Sequence, residues 1–119
     1  DLARCRGCGC RSLRRGVAPF PVYRGVMPSW DNTARKQDNG LTFLNSSPEA
    51  YRAWLAQLVV HTCRHVPEDR RFIFINAWNE WAEGAHLEPD LKHDLAYLKA
   101  TRQALVDGQA IASKIEVVA

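Results

Sequence analysis

The sequence has no long apolar run. No stretch approaches the roughly 18–20 consecutive apolar residues of a membrane-spanning helix, so no transmembrane segment is predicted. The first residues also lack the apolar core of a secretory signal. With 46% hydrophobic and 24% charged residues, the composition is that of a globular protein rather than a disordered or fibrous one. We therefore expect a cytoplasmic globular protein.

Excess charge is lacking outside the first 16 residues. These carry five Arg and one Asp, a net charge of +4, whereas residues 17–119 hold 11 basic and 12 acidic side chains, a net charge of −1. A nucleic-acid-binding surface needs a basic patch or stripe. The nearly neutral body offers none, so no nucleic-acid partner is predicted.

Cysteine is scarce beyond the same leader. Cys5, Cys8 and Cys10 lie within six residues, and Cys63 is far along the chain. A closed structural zinc site needs four ligands, usually as two spaced pairs, and one distant partner cannot staple a small fold. We therefore predict no metal site and no disulfide framework. Residues 1–16 are interpreted as a basic, Cys-rich leader that is disordered or non-native.

From Val17 onward the sequence shows strand and helix patterns. Residues 20–27 are largely apolar and bounded by prolines, which predicts a strand, and residues 28–47 predict a long loop. Ser47 then suits a helix N-cap, with Pro48 at the first helical position. The helix should end before Pro67. Its predicted apolar face consists of Tyr51, Trp54, Leu55, Leu58, Val59 and Thr62.

A second strand and helix follow in the same order. Residues 71–78 are apolar on both faces, the pattern of a buried parallel strand, and residues 79–90 predict a second loop. Leucines spaced by three, four and seven predict a helix from Leu91 to Val106. Gly108 would end that helix.

The repeated order of strand, loop and helix predicts a parallel sheet of the α/β class. Two strands cannot close a (β/α)8 barrel, and two helices cannot cover both faces of an open sheet. No Gly-rich phosphate loop follows either strand, which disfavours a dinucleotide-binding sheet. We predict that residues 17–108 are the C-terminal portion of a TIM-like (β/α)8 barrel, incomplete in this chain. Residues 109–119 would form a tail, in which Ala112–Ala119 are either an edge strand or a frayed end.

Polar and aromatic side chains cluster after both predicted strands, where parallel α/β folds place their active sites. An exposed indole stacks on the apolar C–H face of a pyranose, while amides and acids bind its hydroxyls. We therefore predict a sugar site. Its candidate substrate-binding residues are Trp30, Asp31, Asn32, Arg35, Trp78, Asn79, Trp81, His86 and Glu88.

Glu80 and Glu83 are the candidate catalytic residues. Their spacing of three would place their β-carbons about 5–6 Å apart if the loop makes a helical turn. Paired carboxylates at that distance can divide acid and base roles, as glycoside hydrolysis commonly requires. Alternatively, both acids cap the following helix or form exposed ion pairs. His86 and Asp90 could support the two acids or cap that helix.

The segment Phe74–Asp90, FINAWNEWAEGAHLEPD, closely resembles the C-terminal signature of the WbsX family. Gly25–Arg35, Asn45–Tyr51 and Ala96–Leu98 resemble the same family in the same order, so the resemblance covers about residues 20–105. It implies a glycosyltransferase of bacterial surface polysaccharide biosynthesis, such as O-antigen or capsule synthesis. It also implies a protein several times longer, with a fold similar to glycoside hydrolase family 99.

The likeness to family 99 implies roles for the two acids. Those enzymes carry a Glu-Trp-His-Glu segment, which residues 80–83 match except at Ala82. By this likeness Glu80 would be the base on the substrate's 2-hydroxyl, which attacks the anomeric carbon to give a 1,2-anhydro sugar. Glu83 would protonate the leaving oxygen and later deprotonate the incoming hydroxyl. Ala82 removes one imidazole, so the family's contacts at that position are not carried over, and water and another sugar both remain open as acceptors.

These patterns fit three functions. The first is a retaining hydrolase or transferase acting on an oligo- or polysaccharide, the second a non-catalytic carbohydrate-binding module, and the third an inert barrel fragment. The chain alone is expected to be inactive and to self-associate through uncovered barrel surface. No cofactor is predicted. A transferase could use a nucleotide-sugar donor, although the sequence shows no diphosphate site.

Overall fold

The computed structural model of the protein describes residues 19–116, with side chains described through residue 114. The predictions of disorder and of no metal for residues 1–16 therefore lie outside the described part of the chain. No helix within that part is long and apolar enough to span a membrane.

Two short strands form a parallel pair. β1 spans Arg24–Val26 and β2 spans Ile73–Ile75, and they pair residue for residue along their length. The predicted parallel pairing is confirmed, although both strands are shorter than their sequence patterns suggest. Because the strands run in the same direction, the loops that follow them leave from the same edge of the sheet.

The long helix after the first loop begins and packs as predicted. α2 spans Pro48–His65, and the Ser47 side chain caps it by accepting a hydrogen bond from the N–H of Ala50 at 3.2 Å. Trp54 is partly buried against the core, and α2 contacts both strands of the parallel pair. The rest of the predicted face is buried: Tyr51, Leu55, Leu58, Val59 and Thr62.

The last helix differs from the prediction at both ends. α3 spans Ala96–Glu116 rather than residues 91–106. It begins late because Asp94 has a left-handed φ of 48°, which a helix cannot continue through. The Asp90 carboxylate stabilises this turn by accepting hydrogen bonds from the N–H groups of Lys92 and His93. Leu91 is consequently exposed instead of packing in a helix face.

The prediction that Gly108 ends the helix is wrong. Gly108 is buried within α3, where a β-carbon would lie 2.5 Å from Cβ of Val59 and 3.0 Å from the carbonyl oxygen of Ala56. The missing side chain therefore lets the two long helices approach closely. Residues 109–116 continue α3 instead of forming an edge strand or a frayed end. The buried residues of this face are Tyr97, Ala100, Ala104, Gly108 and Ala112.

Both predicted loops contain regular structure. The first holds a short helix, α1, at Thr33–Lys36, followed by a 3-10 helix at Gln37–Asn39. The second is a hairpin in which β3 (Asn79–Glu80) pairs antiparallel with β4 (Ala85–His86). A 3-10 turn at residues 81–83 joins these strands and ends at Gly84, whose left-handed φ of 59° favours glycine.

One face of the parallel pair is uncovered within the described residues. Val26 is buried on the face that meets α2, and Ile73 and Ile75 pack against the same core. The opposite face carries Tyr23, which meets the rings of Phe72 and Phe74 edge to face at 5.8 and 6.2 Å. Phe74 is 62% exposed. The expected burial of β2 on both faces is therefore not reached here.

Candidate functional site

Two contacts fasten the first loop to the turn of the hairpin. The N–H of Asp31 donates a hydrogen bond to the carbonyl oxygen of Glu83 at 2.8 Å, and the Ser29 hydroxyl donates to the carbonyl of Gly84. The structure thus brings the two predicted polar clusters together. Ser29 was not among the predicted site residues, and its only signal is its place directly before Trp30 in the first cluster.

Asp31 and Asn32 shape the first loop. One oxygen of Asp31 accepts hydrogen bonds from the N–H and hydroxyl of Thr33, at 3.0 and 2.6 Å, and from the hydroxyl of Thr42 at 3.2 Å. These bonds, above all the one from the Thr33 hydroxyl, hold the pKa of Asp31 below its usual value. The amide oxygen of Asn32 accepts from the N–H of Leu41 at 2.7 Å. Both side chains are therefore engaged in fixing the loop.

Glu83 is a buried acid whose cationic partner among the described residues is Arg35. The residue is 7% exposed and forms an ion pair with Arg35, whose own side chain is 63% exposed. Arg35 lies in α1, so the helical turn in the first loop is what positions its guanidinium beside the hairpin. The contact between the two loops is thus electrostatic as well as backbone-mediated.

Glu80 lies in a different environment although it is only three residues away. It is exposed at the end of β3, where it pairs with Ala85 across the hairpin. The spacing argument for the two acids required a helical turn in this loop. A 3-10 turn is present at residues 81–83, but Glu80 precedes it. The two carboxylates therefore flank one turn, with one side chain in solvent and the other buried. Neither caps α3, which begins at Ala96.

Trp81 is held by its neighbours in an ordered position. Its indole N–H donates a hydrogen bond to Glu88 at 2.8 Å. Its ring stacks on the imidazole of His86, with ring centroids 3.8 Å apart and planes inclined by 17°. Even so, Trp81 remains 49% exposed. His86 and Glu88, both predicted to bind substrate, are thus placed where they orient this indole.

Asp90 completes the support of Trp81. Its carboxylate accepts a hydrogen bond from Nε2 of His86 at 2.9 Å, while its other oxygen binds the backbone of the following turn. The N–H of His93 and then the His86 side chain are the main causes that lower the pKa of Asp90. Asp90 therefore caps the turn before α3, one of the two roles left open from the sequence, and it orients His86 beside Trp81 instead of contacting Glu80 or Glu83 in the bonds described here.

The other predicted aromatic and amide side chains differ in exposure. Trp78 and Asn79 are exposed at the start of the hairpin, and the carbonyl of Trp78 accepts hydrogen bonds from the N–H groups of Leu87 and Glu88. Trp30 is half-buried, and its indole N–H is buried without a hydrogen-bond partner among the described residues. Trp81 and Trp78 are thus the better-exposed ring surfaces.

Between residues 19 and 116, no group of three or more His, Cys, Asp and Glu side chains is arranged to hold a metal ion. His61 and His65, spaced four apart on α2, stack on each other with centroids 4.4 Å apart. Nδ1 of His65 is bonded to the carbonyl oxygen of His61 at 2.8 Å.

Comparison with known proteins gives a consistent match. The sequence model of a family described as "Glycosyltransferase WbsX" matches residues 8–101, which includes part of the leader. Two curated proteins, each named "Uncharacterized protein WxcX" and found in two strains of Xanthomonas campestris pv. campestris, are 47% identical over 102 residues. The matched region covers 86% of this chain and 15% of each relative. No solved structure matches the chain.

Proposed function

This chain belongs to the WbsX glycosyltransferase family, and we propose that its two joined loops form part of a retaining, two-Glu carbohydrate active site. The observation that carries the proposal is the arrangement around one 3-10 turn. Exposed Glu80 directly precedes this turn, half-exposed Trp81 begins it and buried Glu83 ends it, and the first loop is bonded to it. Carboxylates beside an exposed indole suit a sugar ring.

Different surroundings are what an acid–base pair needs. An exposed carboxylate and a buried one hold protons with different affinity, so the two can carry different charge at the same pH. We assign Glu80 as the base that takes the proton of the 2-hydroxyl. That oxygen attacks the anomeric carbon while the bond to the leaving oxygen breaks, and Glu83 gives its proton to the leaving oxygen.

The ion pair with Arg35 adds a condition to this scheme. Glu83 contacts a guanidinium in the described state, which favours its charged form. A charged carboxylate cannot donate a proton. We therefore propose that entry of the sugar moves Arg35 away from Glu83, after which Glu83 is protonated and acts as the acid.

The short span of this chain and its uncovered aromatic face support the proposal that a larger barrel surrounds this site. The chain spans 15% of the length of the curated relatives it matches, and the aromatic face of Tyr23, Phe72 and Phe74 is uncovered. In a (β/α)8 barrel, alternate side chains of each strand point into a packed interior. We propose that these rings fill that interior in a longer, cytoplasmic protein of bacterial surface polysaccharide synthesis.

Glu80→Gln and Glu83→Gln in the full-length protein test the assignment. Each should lower turnover of glycosides about 10²–10⁴-fold with folding intact, the usual size of a general acid–base contribution. Glu83→Gln should affect substrates with poor leaving groups most, because activated leaving groups need less protonation, whereas Glu80→Gln should slow both kinds. Glu68→Gln, an exposed acid in the 3-10 helix before β2, is the matched control.

Two results would contradict the enzyme assignment. Wild-type turnover in both variants would exclude this pair as the catalytic acids. Sugar binding without turnover in the wild-type protein would instead favour the carbohydrate-binding module. Sugar binding should therefore be measured beside the kinetics.

A further inference from the structure

A cavity of about 880 Å³ adjoins Trp81. Its volume falls within the roughly 300–1,000 Å³ of small-molecule sites. Neither Glu80 nor Glu83 lines it, although Trp81 belongs to the same turn as Glu83. An occupant would therefore lie beside the reacting centre and not in it. The wall residues that matter here are Ser46, Trp81, His86, Lys92, Asp94 and Tyr97.

The aromatic wall of this cavity is fixed before any ligand arrives. Glu88 holds the indole N–H of Trp81, and His86 stacks on its ring. A carboxylate only accepts hydrogen bonds, so Nε2 of His86 must carry the proton that bonds to Asp90. Nδ1 of His86 is buried without a hydrogen-bond partner among the described residues. These contacts fix Trp81, and a fixed ring loses little entropy on binding.

The charges on the wall identify the kind of ligand. Lys92 contributes one ammonium group, whereas Asp90 and Asp94 each contribute a carboxylate, so carboxylates outnumber the single Lys. The Asp90 carboxylate is engaged with His86 and with the turn. A diphosphate would need several cationic or N–H donors and no facing carboxylates. The wall instead offers one ammonium group, carboxylates, hydroxyl groups and an indole, which suit the hydroxyls and the apolar face of a neutral sugar.

We propose that this cavity binds a neutral pyranose unit of the acceptor, next to the reacting sugar. We assign the cavity to the acceptor because the charges on its wall are unsuitable for the diphosphate of a nucleotide-sugar donor. The term acceptor rests on the proposed transfer function, whereas binding of a neutral sugar rests on the cavity alone. Trp81 is the stacking surface, and Lys92 and Asp94 bind ring hydroxyls.

Saturation-transfer NMR with the full-length protein tests the site directly. The probes are methyl glycosides of glucose, galactose and mannose, with methyl glucuronide and uridine diphosphate as charged comparisons. At least one neutral glycoside should bind. Trp81→Ala should weaken that binding about tenfold, which corresponds to roughly 1.4 kcal/mol and to loss of one aromatic stacking contact.

A second variant guards against disruption of the hairpin by Trp81→Ala. Ser46 lies in the first loop, is exposed and lines the cavity, so Ser46→Trp should fill the cavity and block the sugar while the hairpin sequence stays unchanged. Ser113→Trp, an equally exposed change on α3 away from the cavity, should leave binding unchanged.

The outcomes separate this inference from the proposed function. No binding of any neutral glycoside, or undiminished binding in both Trp81→Ala and Ser46→Trp, would overturn the sugar site even if the enzyme turns over. Tighter binding of the glucuronide or of uridine diphosphate would overturn the assignment to a neutral acceptor. Trp81-dependent sugar binding without any turnover would leave the site standing and refute the transfer function.

Discussion

Replacing Gly108 with alanine should destabilise the protein, although alanine is the better helix former. In an exposed helix interior, Gly→Ala stabilises by about 0.8–1 kcal/mol. Here the new β-carbon would lie 2.5 Å from Cβ and 2.7 Å from Cγ1 of Val59, and 3.0 Å from the carbonyl oxygen of Ala56. Two of these atoms belong to the β-branch of Val59 and one to the backbone, so the helices must move apart. Overpacking of a core costs about 1–3 kcal/mol, so we expect a net loss of about 1 kcal/mol.

Urea unfolding followed by far-UV circular dichroism measures this difference. Ser113→Ala is the matched control on the exposed side of α3, where the gain in helix propensity meets no neighbouring helix. Gly108→Ala should lower the urea midpoint, whereas Ser113→Ala should leave it unchanged or raise it slightly. A Gly108→Ala protein at least as stable as wild type would show that α2 and α3 are not as close as described, and would refute the argument.

Two further predictions concern the sheet face and pH. Residues 1–119 expressed alone should self-associate in sedimentation experiments through the exposed rings of Phe72 and Phe74. Changing both residues to Ser should reduce this association, whereas Leu44→Ser, a change at an exposed apolar residue elsewhere, should not. A monodisperse wild-type monomer would contradict this prediction. Because the folded pKa of Asp90 is lowered from 3.8, its contribution to stability should be present above about pH 4 and lost as the pH falls. Thermal unfolding at a series of pH values should show a weaker acid-side loss in Asp90→Asn than in wild type or in Asp38→Asn, and equal losses would refute the role of the Asp90 network.

The sequence predicted those parts of the fold that depend on residues close together along the chain. The start of α2 was correct because Ser47 bonds to a backbone N–H only three residues away. The parallel pairing of β1 and β2 followed from their order along the chain. The start of α3 was not predictable in this way, because Asp94 adopts a left-handed conformation that residue type alone does not require. Gly108 was misread because its role depends on Val59, which is distant in sequence.

The location of the candidate site was easier to predict than the role of each side chain. The sequence pattern placed both polar clusters after parallel strands, and the bond from Asp31 to Glu83 joins them. Whether a polar residue is free for a ligand depends on contacts across the loops. Asp31 is engaged by two threonines, and Glu88 by the Trp81 indole. Such pairings arise from the folded geometry of α1 and the hairpin, which the pattern showed only as loops.

The hairpin explains how one short segment can give two carboxylates different surroundings. Glu80 ends a strand at the hairpin edge and stays in solvent, whereas Glu83 ends the 3-10 turn and is pressed against the first loop. Gly84 makes this possible, since its left-handed φ turns the chain back into β4 directly after Glu83. The same turn presents Trp81 between the two acids. A change in the length of this turn would therefore alter the acid pair and the sugar platform together, even with every side chain retained.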